Sequence, residues 1–283
     1  VGPRGSGAFE EISWDEALET AVSWMKPLRE TAPEKLAFFT GRDQSQSLTG
    51  WWAQAFGTPN YAAHGGFCSV NMAAGGIYTI GGAFWEFGQP DWEHTKLFVM
   101  FGVAEDHDSN PIKIGIGKLK ARGARVVGVN PIRTGYNAVA DDWYGITPGT
   151  DGLLILSLIH CLFEAGKIDL DYLAQWTNAP LLVNATEGPE KGLILKNAES
   201  QPFVIDRRTG APAPWDGKGV EPDLGATWQG HRTVFQHMAE RYLSPDYAPE
   251  AVAGRCGIPA ARIRGLAAEL AQAAFDQAFT LPQ

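Results

Sequence analysis

The sequence predicts an α/β fold built on a parallel sheet with flanking helices, and three observations carry that prediction. Between Lys96 and Pro131 short apolar runs bracket an amphipathic segment: "KLFVMFG", then "PIKIGIGKLKARG", then "ARVVGVNP". Strand, helix and strand joined by short Gly-rich turns form a βαβ unit, whose two strands run parallel. The third observation is "GLLILSLIHCLF", Gly152 to Phe163. It is too short to span a bilayer and contains His160, so it reads as a buried helix rather than a transmembrane segment.

The remaining elements follow in order. "ISWDEALETAVSWMKPLRE" opens with Ser13 three residues before Glu16, a capping box with Ile12 outside it, which predicts a helix from Ile12 to about Glu30 that Pro27 bends or shortens. "KLAFFTG" is a buried strand ending on Gly41, followed by a polar turn and a helix across "SLTGWWAQAFG". "DDWYGITPGTD" supplies a further short strand and turn before the Gly152 helix. From Pro180 to about Gly230, Pro, Gly, Asn and charged residues dominate, and "PFVIDRRTGAPAP" is a hairpin turning at Thr209-Gly210. Helices resume at "RTVFQHMAERYL" and "IPAARIRGLAAELAQAA", the latter with Pro259 near its start.

Composition narrows the function. With 283 residues the chain has ample core for one large or two smaller domains. Its 23 Lys+Arg against 32 Asp+Glu give a net charge of −9, and no basic cluster exceeds Arg207-Arg208, which argues against nucleic acid and acidic membranes as partners. Cys68, Cys161 and Cys256 are widely spaced, with no CxxC and no His at ligand spacing, so a disulfide framework, a structural zinc site and a chain-borne iron-sulfur cluster are not expected. The chain starts at Val1 rather than Met and stops as an apolar segment begins, so it is read as a piece of something larger.

In open parallel sheets ligands bind at the C-terminal ends of the strands, at a switch in strand order. Three loops occupy such positions: "GVAEDHDSNP", "NPIRTGY" and "TPGTD". Small residues there allow close backbone approach, Arg133 suits a phosphate or a purine face, and Asp151 suits guanine N1 and N2. Gly and Asp at strand ends also serve turns and helix caps, and neither GxGxxG nor GxxxxGK[ST] occurs. The charges around His107 (Glu105, Asp106, Asp108) fit a solvated or nucleotide-facing loop better than a hard-metal site. Cys161 and Cys256 read as small buried apolar residues. Cys68, preceded by Gly65-Gly66 and followed by polar residues, stays open as a soft-metal ligand, as a nucleophile with His64 as its base, or as a buried thiol.

These loops converge on one family. "FEEISWDEAL", "GGFCSVNMA", "KLFVMFGVAEDHDSNP", "GARVVGVNPIRT" and "YGITPGTDGLL", in this order over residues 9 to 154, resemble the molybdopterin oxidoreductases of the dimethyl sulfoxide reductase superfamily. The resemblance implies molybdenum or tungsten held by two molybdopterin guanine dinucleotides, with Cys68 as the protein ligand of the cysteine-ligated members. It places Gly102, Val103, Ala104, Asn110, Asn130, Arg133, Gly149 and Asp151 against one dinucleotide. The chemistry it implies is two-electron redox of a small-molecule substrate, with a partner subunit for electron transfer and no transmembrane segment.

The expected architecture is a Rossmann-like domain over residues 68–272 with a 180–230 excursion. It is preceded by the first part of a discontinuous α/β domain over 1–67, which a return strand at 273–283 rejoins, and Cys68 is expected at the junction. A [4Fe-4S] cluster belongs only to an N-terminal segment not visible in this sequence. Ser69 stands where the family's formate dehydrogenases carry His after the metal ligand, which lowers that reading without removing it; His64 could assist instead, or the substrate is an oxyanion such as nitrate, thiosulfate or arsenate. A metal-free, non-catalytic scaffold is the alternative of another class. Bacterial cytoplasm and periplasm both stay open.

Overall fold

The computed structural model describes residues 2–41, 46–66, 69–82, 90–102 and 112–277. The chain forms two compact units, Val1–Gln89 and Pro90–Gln283.

In the first unit, helix α1 (Trp14–Thr31) starts as its sequence dictates: Ser13 Oγ accepts the Glu16 amide at 3.2 Å. Pro27 does not shorten it. The helix runs four residues further and closes through Ala32 N–H to the Leu28 carbonyl at 2.8 Å, because proline removes a single ladder bond and its ring sits on an exposed face. Strand β1 (Phe38–Thr40), helix α2 (Gln46–Phe56) and strand β2 (Tyr61–Ala63) make a small parallel pair, Thr40 lying opposite Ala63. Phe38 contacts the rings of Trp52 and Tyr61 at centroid distances of 5.3 and 6.0 Å. A 3₁₀ turn, His64–Gly66, leaves β2, and helix α3 (Ser69–Ile80) follows. Helix α3 belongs to this compact unit, and the second compact unit spans Pro90–Gln283.

The second unit is the α/β sheet the sequence predicts. Strand β3 (Leu97–Phe101), helix α4 (Ile112–Ala121), strand β4 (Arg125–Val129), the single-turn helix α5 (Tyr136–Val139) and strand β5 (Asp142–Tyr144) follow one another. The sheet order is β3-β4-β5, all parallel, with Val129 opposite both Phe101 and Tyr144. The reversal of strand order expected at a binding edge is absent among the described strands. Alternation along β4 sorts the core: Val126 packs with Met100, Ile116 and Leu119 on one face, while Val127 and Val129 pack with Leu154, Leu158, Val252 and Leu266 on the other.

The second face is covered by α6 (Asp151–Glu164) and, beyond α7 (Leu170–Trp176), by helices from the C-terminal part of the chain. The excursion between them consists of short strands: β6 (Leu182–Val183), β7 (Phe203–Ile205), β8 (Pro212–Pro214), β9 (Thr227–Trp228) and β10 (His231–Thr233). β7 and β8 form the predicted hairpin, with Gly210 at positive φ in its turn. Helices α8 (Val234–Tyr242), α9 (Pro249–Cys256) and α10 (Ala260–Ala271) complete the layer.

Polar links then lock these helices together. His160 Nδ1 lies 2.8 Å from the Tyr242 carbonyl, and Arg264 bridges Glu164 and Glu250 at 3.2 and 2.7 Å. Cys161 and Cys256 are buried and unbridged, as expected, and burial pushes the Cys161 thiol up. Where the sequence suggested a return strand from residue 273, the chain stays helical through a π-helical turn, Gln272–Asp276; Lys167 pairs with Asp276 at 2.8 Å and its ammonium lies 5.9 Å from the Phe275 ring centre, which anchors the helical form. Residues 278–283 lie outside those described. No described helix is long and apolar enough to cross a membrane.

Candidate functional site

The site is built by register. Because Phe101, Val129 and Tyr144 lie side by side, the residues that follow them leave the sheet at one level of one edge. Gly102 N–H donates to the Val129 carbonyl at 2.9 Å and Asn130 N–H to the Tyr144 carbonyl at 3.2 Å, so the ladder continues one step into the loops. Gly102 has φ +70°, which turns the chain off β3 at little steric cost. Val103, Ala104, Asn110 and the His107 cluster lie outside the described residues.

The loop after β4 is held from behind. Asn130 is 6% exposed; its side-chain amide donates to the Ile132 carbonyl at 2.7 Å, and its own carbonyl accepts the Trp143 indole N–H at 2.9 Å. Asn130 therefore shapes the turn with its side-chain N–H. Behind it, Gly128 lets α5 approach the strand: a Cβ at Gly128 would sit 2.1 Å from Asn137 Oδ1. Arg133 stands exposed on this turn, with no ion pair or hydrogen bond among the described residues.

The loop after β5 is fixed by α9. Thr147 N–H donates to the Cys256 carbonyl at 2.8 Å, and Thr147 Oγ1 would lie 3.1 Å from a Cβ at Gly257, the left-handed residue that ends α9. Gly149, at φ +81°, then opens onto free space. Asp151, partly buried, is the first residue of α6, and the N-cap Thr150 makes no side-chain cap, so this helix start at the edge has no side-chain cap among the described residues.

Among the described residues, one edge thus presents a guanidinium without a partner, a carboxylate and the N-terminus of a 14-residue helix without a side-chain cap. That donor set fits the nucleotide end of a pterin dinucleotide: cationic and dipolar groups for phosphate, a carboxylate for a purine's N–H groups.

His64 lies in the other unit, directly off the C-terminal end of β2, and is partly buried. Cys68 lies outside the described residues, and so does its expected place at a junction. Among the described residues no group of three or more His, Cys, Asp or Glu side chains could hold a metal ion. Sequence reasoning missed the supports of the loops: Gly128, Asn137, Trp143 and the Cys256 carbonyl. A glycine inside the apolar run "RVVGV" was the one available signal, since it marks close backbone approach.

Comparison with known proteins decides the family. The sequence profile of the molybdopterin oxidoreductases matches residues 4–251. The chain belongs to this family. It is 47% identical over 99% of its length to a sulfite dehydrogenase subunit of Allochromatium vinosum, covering 30% of that protein. It is 28% identical over 95% of its length to a putative dimethyl sulfoxide reductase catalytic subunit of Halobacterium salinarum, covering 34% of it, and 26% identical over 63% to the thiosulfate reductase molybdopterin-containing subunit of Salmonella typhimurium, covering 23% of it. The chain thus spans about a third or less of these relatives. Acetylene hydratase from Pelobacter acetylenicus shares the fold, with a TM-score of 0.50 at 20% identity over 97% of this chain and 30% of that one. Family membership implies a molybdenum or tungsten pterin cofactor.

Proposed function

We propose that this chain is part of the catalytic subunit of a bis(molybdopterin guanine dinucleotide) oxidoreductase that acts on a sulfur oxyanion, with sulfite the first candidate. The convergence of three loops on one edge of the β3-β4-β5 sheet carries the reading of the dinucleotide site. In it, Arg133 offsets the pyrophosphate charge, Asp151 accepts from the guanine edge, Gly102 and Gly149 admit the ligand to the backbone, and Asn130 holds the Arg133 turn. Val103, Ala104 and Asn110 complete the first loop in the same reading.

Cys68 is assigned as the thiolate ligand of the metal, and His64 as a nearby proton carrier. When bound, the metal centre supplies two-electron redox chemistry. Oxidation of sulfite to sulfate takes oxygen from water and releases two protons and two electrons. The electrons leave to a partner subunit, in keeping with relatives that are themselves named as single subunits, a sulfite dehydrogenase and a dimethylsulfide dehydrogenase among them. A [4Fe-4S] cluster would lie on polypeptide that this sequence does not contain. The 47% identity to a sulfite dehydrogenase supports sulfite over formate.

The test uses the holoenzyme from a host that makes the cofactor. Metal content per chain and sulfite-dependent dye reduction are measured for the parent and for Cys68→Ser. About one metal per chain, lowered in the variant along with activity, supports the assignment. Full metal and full activity in Cys68→Ser would remove the ligand role.

A further inference from the structure

The first unit holds little core of its own. Among its described residues Ala53 and Phe56 are the only buried apolar side chains, and its sheet is a single parallel pair, a form that proteins keep covered on both faces. Helix α1 shows the deficit most clearly. Over 18 residues it buries none, whereas the 14-residue α6 buries Leu154, Leu158 and Cys161. Yet α1 is patterned for burial, with Leu18, Val22 and Met25 at the i, i+4, i+7 spacing of one face. Leu18 and Val22 stand 59% and 52% exposed.

Val22 and Met25 continue into a groove of about 630 Å³ between α1 and α2. Trp51, Trp52 and Phe56 line it from α2, with Trp52 stacked on Phe56 at 5.3 Å and Trp51 64% exposed. The charged groups of the lining are already engaged: Lys26 lies 4.0 Å from Glu30, and Arg29 donates to the Ala55 carbonyl at 3.3 Å. An apolar floor inside a charged rim is the make-up of a buried contact.

We propose that an apolar-faced helix of the same subunit, from polypeptide outside residues 1–283, fills this groove. This chain matches 30% and 34% of two relatives of its family, so the larger part of such a subunit is available to supply the helix. A helix pairs its own backbone groups and sets ridges of side chains into the valley between two others. An extended segment would instead bring N–H and C=O groups in need of partners, and the charged lining is already committed. Cover from the same polypeptide is present whenever the unit folds, whereas a second copy or a partner subunit would leave the unit short of a core until assembly.

The test uses the complete subunit with p-benzoylphenylalanine in place of Lys26, at the groove rim. Light and heavy copies are mixed and irradiated, and crosslinked peptides are mapped by mass spectrometry. Crosslinks are expected on the same copy, outside residues 1–283, at positions three and four apart. Hydroxyl-radical oxidation of Trp51 is expected to be at least about tenfold slower in the folded subunit than in urea, where the exposure left by this chain alone would slow it less than about twofold. Crosslinks to residues 90–283, to a second copy or to a partner subunit would each overturn the proposal. So would the absence of any crosslink, or Trp51 oxidised within about twofold of its rate in urea.

Discussion

Replacing Gly128 by alanine tests the link between the sheet and the Arg133 turn. The added methyl would lie 2.1 Å from Asn137 Oδ1 and 3.4 Å from the Asn137 Cα. Contact with a carbon is comfortable only from about 3.5 Å, so the carboxamide must retreat by roughly 1.4 Å. It has little room: Asn137, on α5, is fully buried. Overpacking of this kind costs about 1–3 kcal/mol. With a urea slope of about 2 kcal/mol per molar, the unfolding midpoint of Gly128→Ala should fall by about 0.5–1.5 M. Gly117→Ala is the control, because that glycine is exposed on α4 with open space at its Cβ and should gain up to about 1 kcal/mol from helix propensity. Urea titrations followed by circular dichroism read both. A Gly128→Ala midpoint equal to or above the parent's, with Gly117→Ala raised as expected, would refute the claim that α5 packs against β4 where Gly128 lacks a side chain.

Other outcomes follow from the same structure. Arg133→Ala and Asp151→Asn should each lower retention of guanine nucleotide in the purified holoenzyme by about tenfold or more, as expected for charge-assisted hydrogen bonds, with little change in melting temperature; nucleotide released on denaturation is the readout. Thr233 caps α8 by accepting the Gln236 amide at 3.2 Å and also donates to the Leu224 carbonyl. Thr233→Ala should therefore cost about 2 kcal/mol, read as a lower urea midpoint. At Asp206, the Arg208 backbone N–H holds the carboxyl below its ordinary range. A folded value depressed below the unfolded one gives stability that is present above about pH 4 and lost as pH falls through the folded value. Asp206→Asn should flatten this acid limb, and a melting-temperature series from pH 6 down to pH 2.5 checks it.

The elements that the sequence predicted are those whose signals are local. The run "ARVVGVNP" states its own strand, the alternation in "PIKIGIGKLKARG" states the helix, and Gly102 and Asn130 mark where each strand stops. Local chemistry also placed the candidate ligand groups, since an Arg in a turn and an Asp at a helix start are legible from neighbours alone. Pro27 does not shorten α1 because its ring sits on an exposed face, while residues 273–276 continue the helix and the strand read into "AFTLPQ" falls outside the described residues.

Amino-acid order by itself determined that there is a parallel α/β sheet, which residues end its strands, and which family the chain resembles. Only the tertiary structure decided that Phe101, Val129 and Tyr144 stand in register, so that three loops far apart in sequence begin at one edge. It also decided that Trp143, Asn137 and the Cys256 carbonyl are what hold two of those loops in place. The physical reason is range: helix and strand preferences act over a few residues, whereas strand register and a buried hydrogen bond depend on partners that only the folded chain brings together.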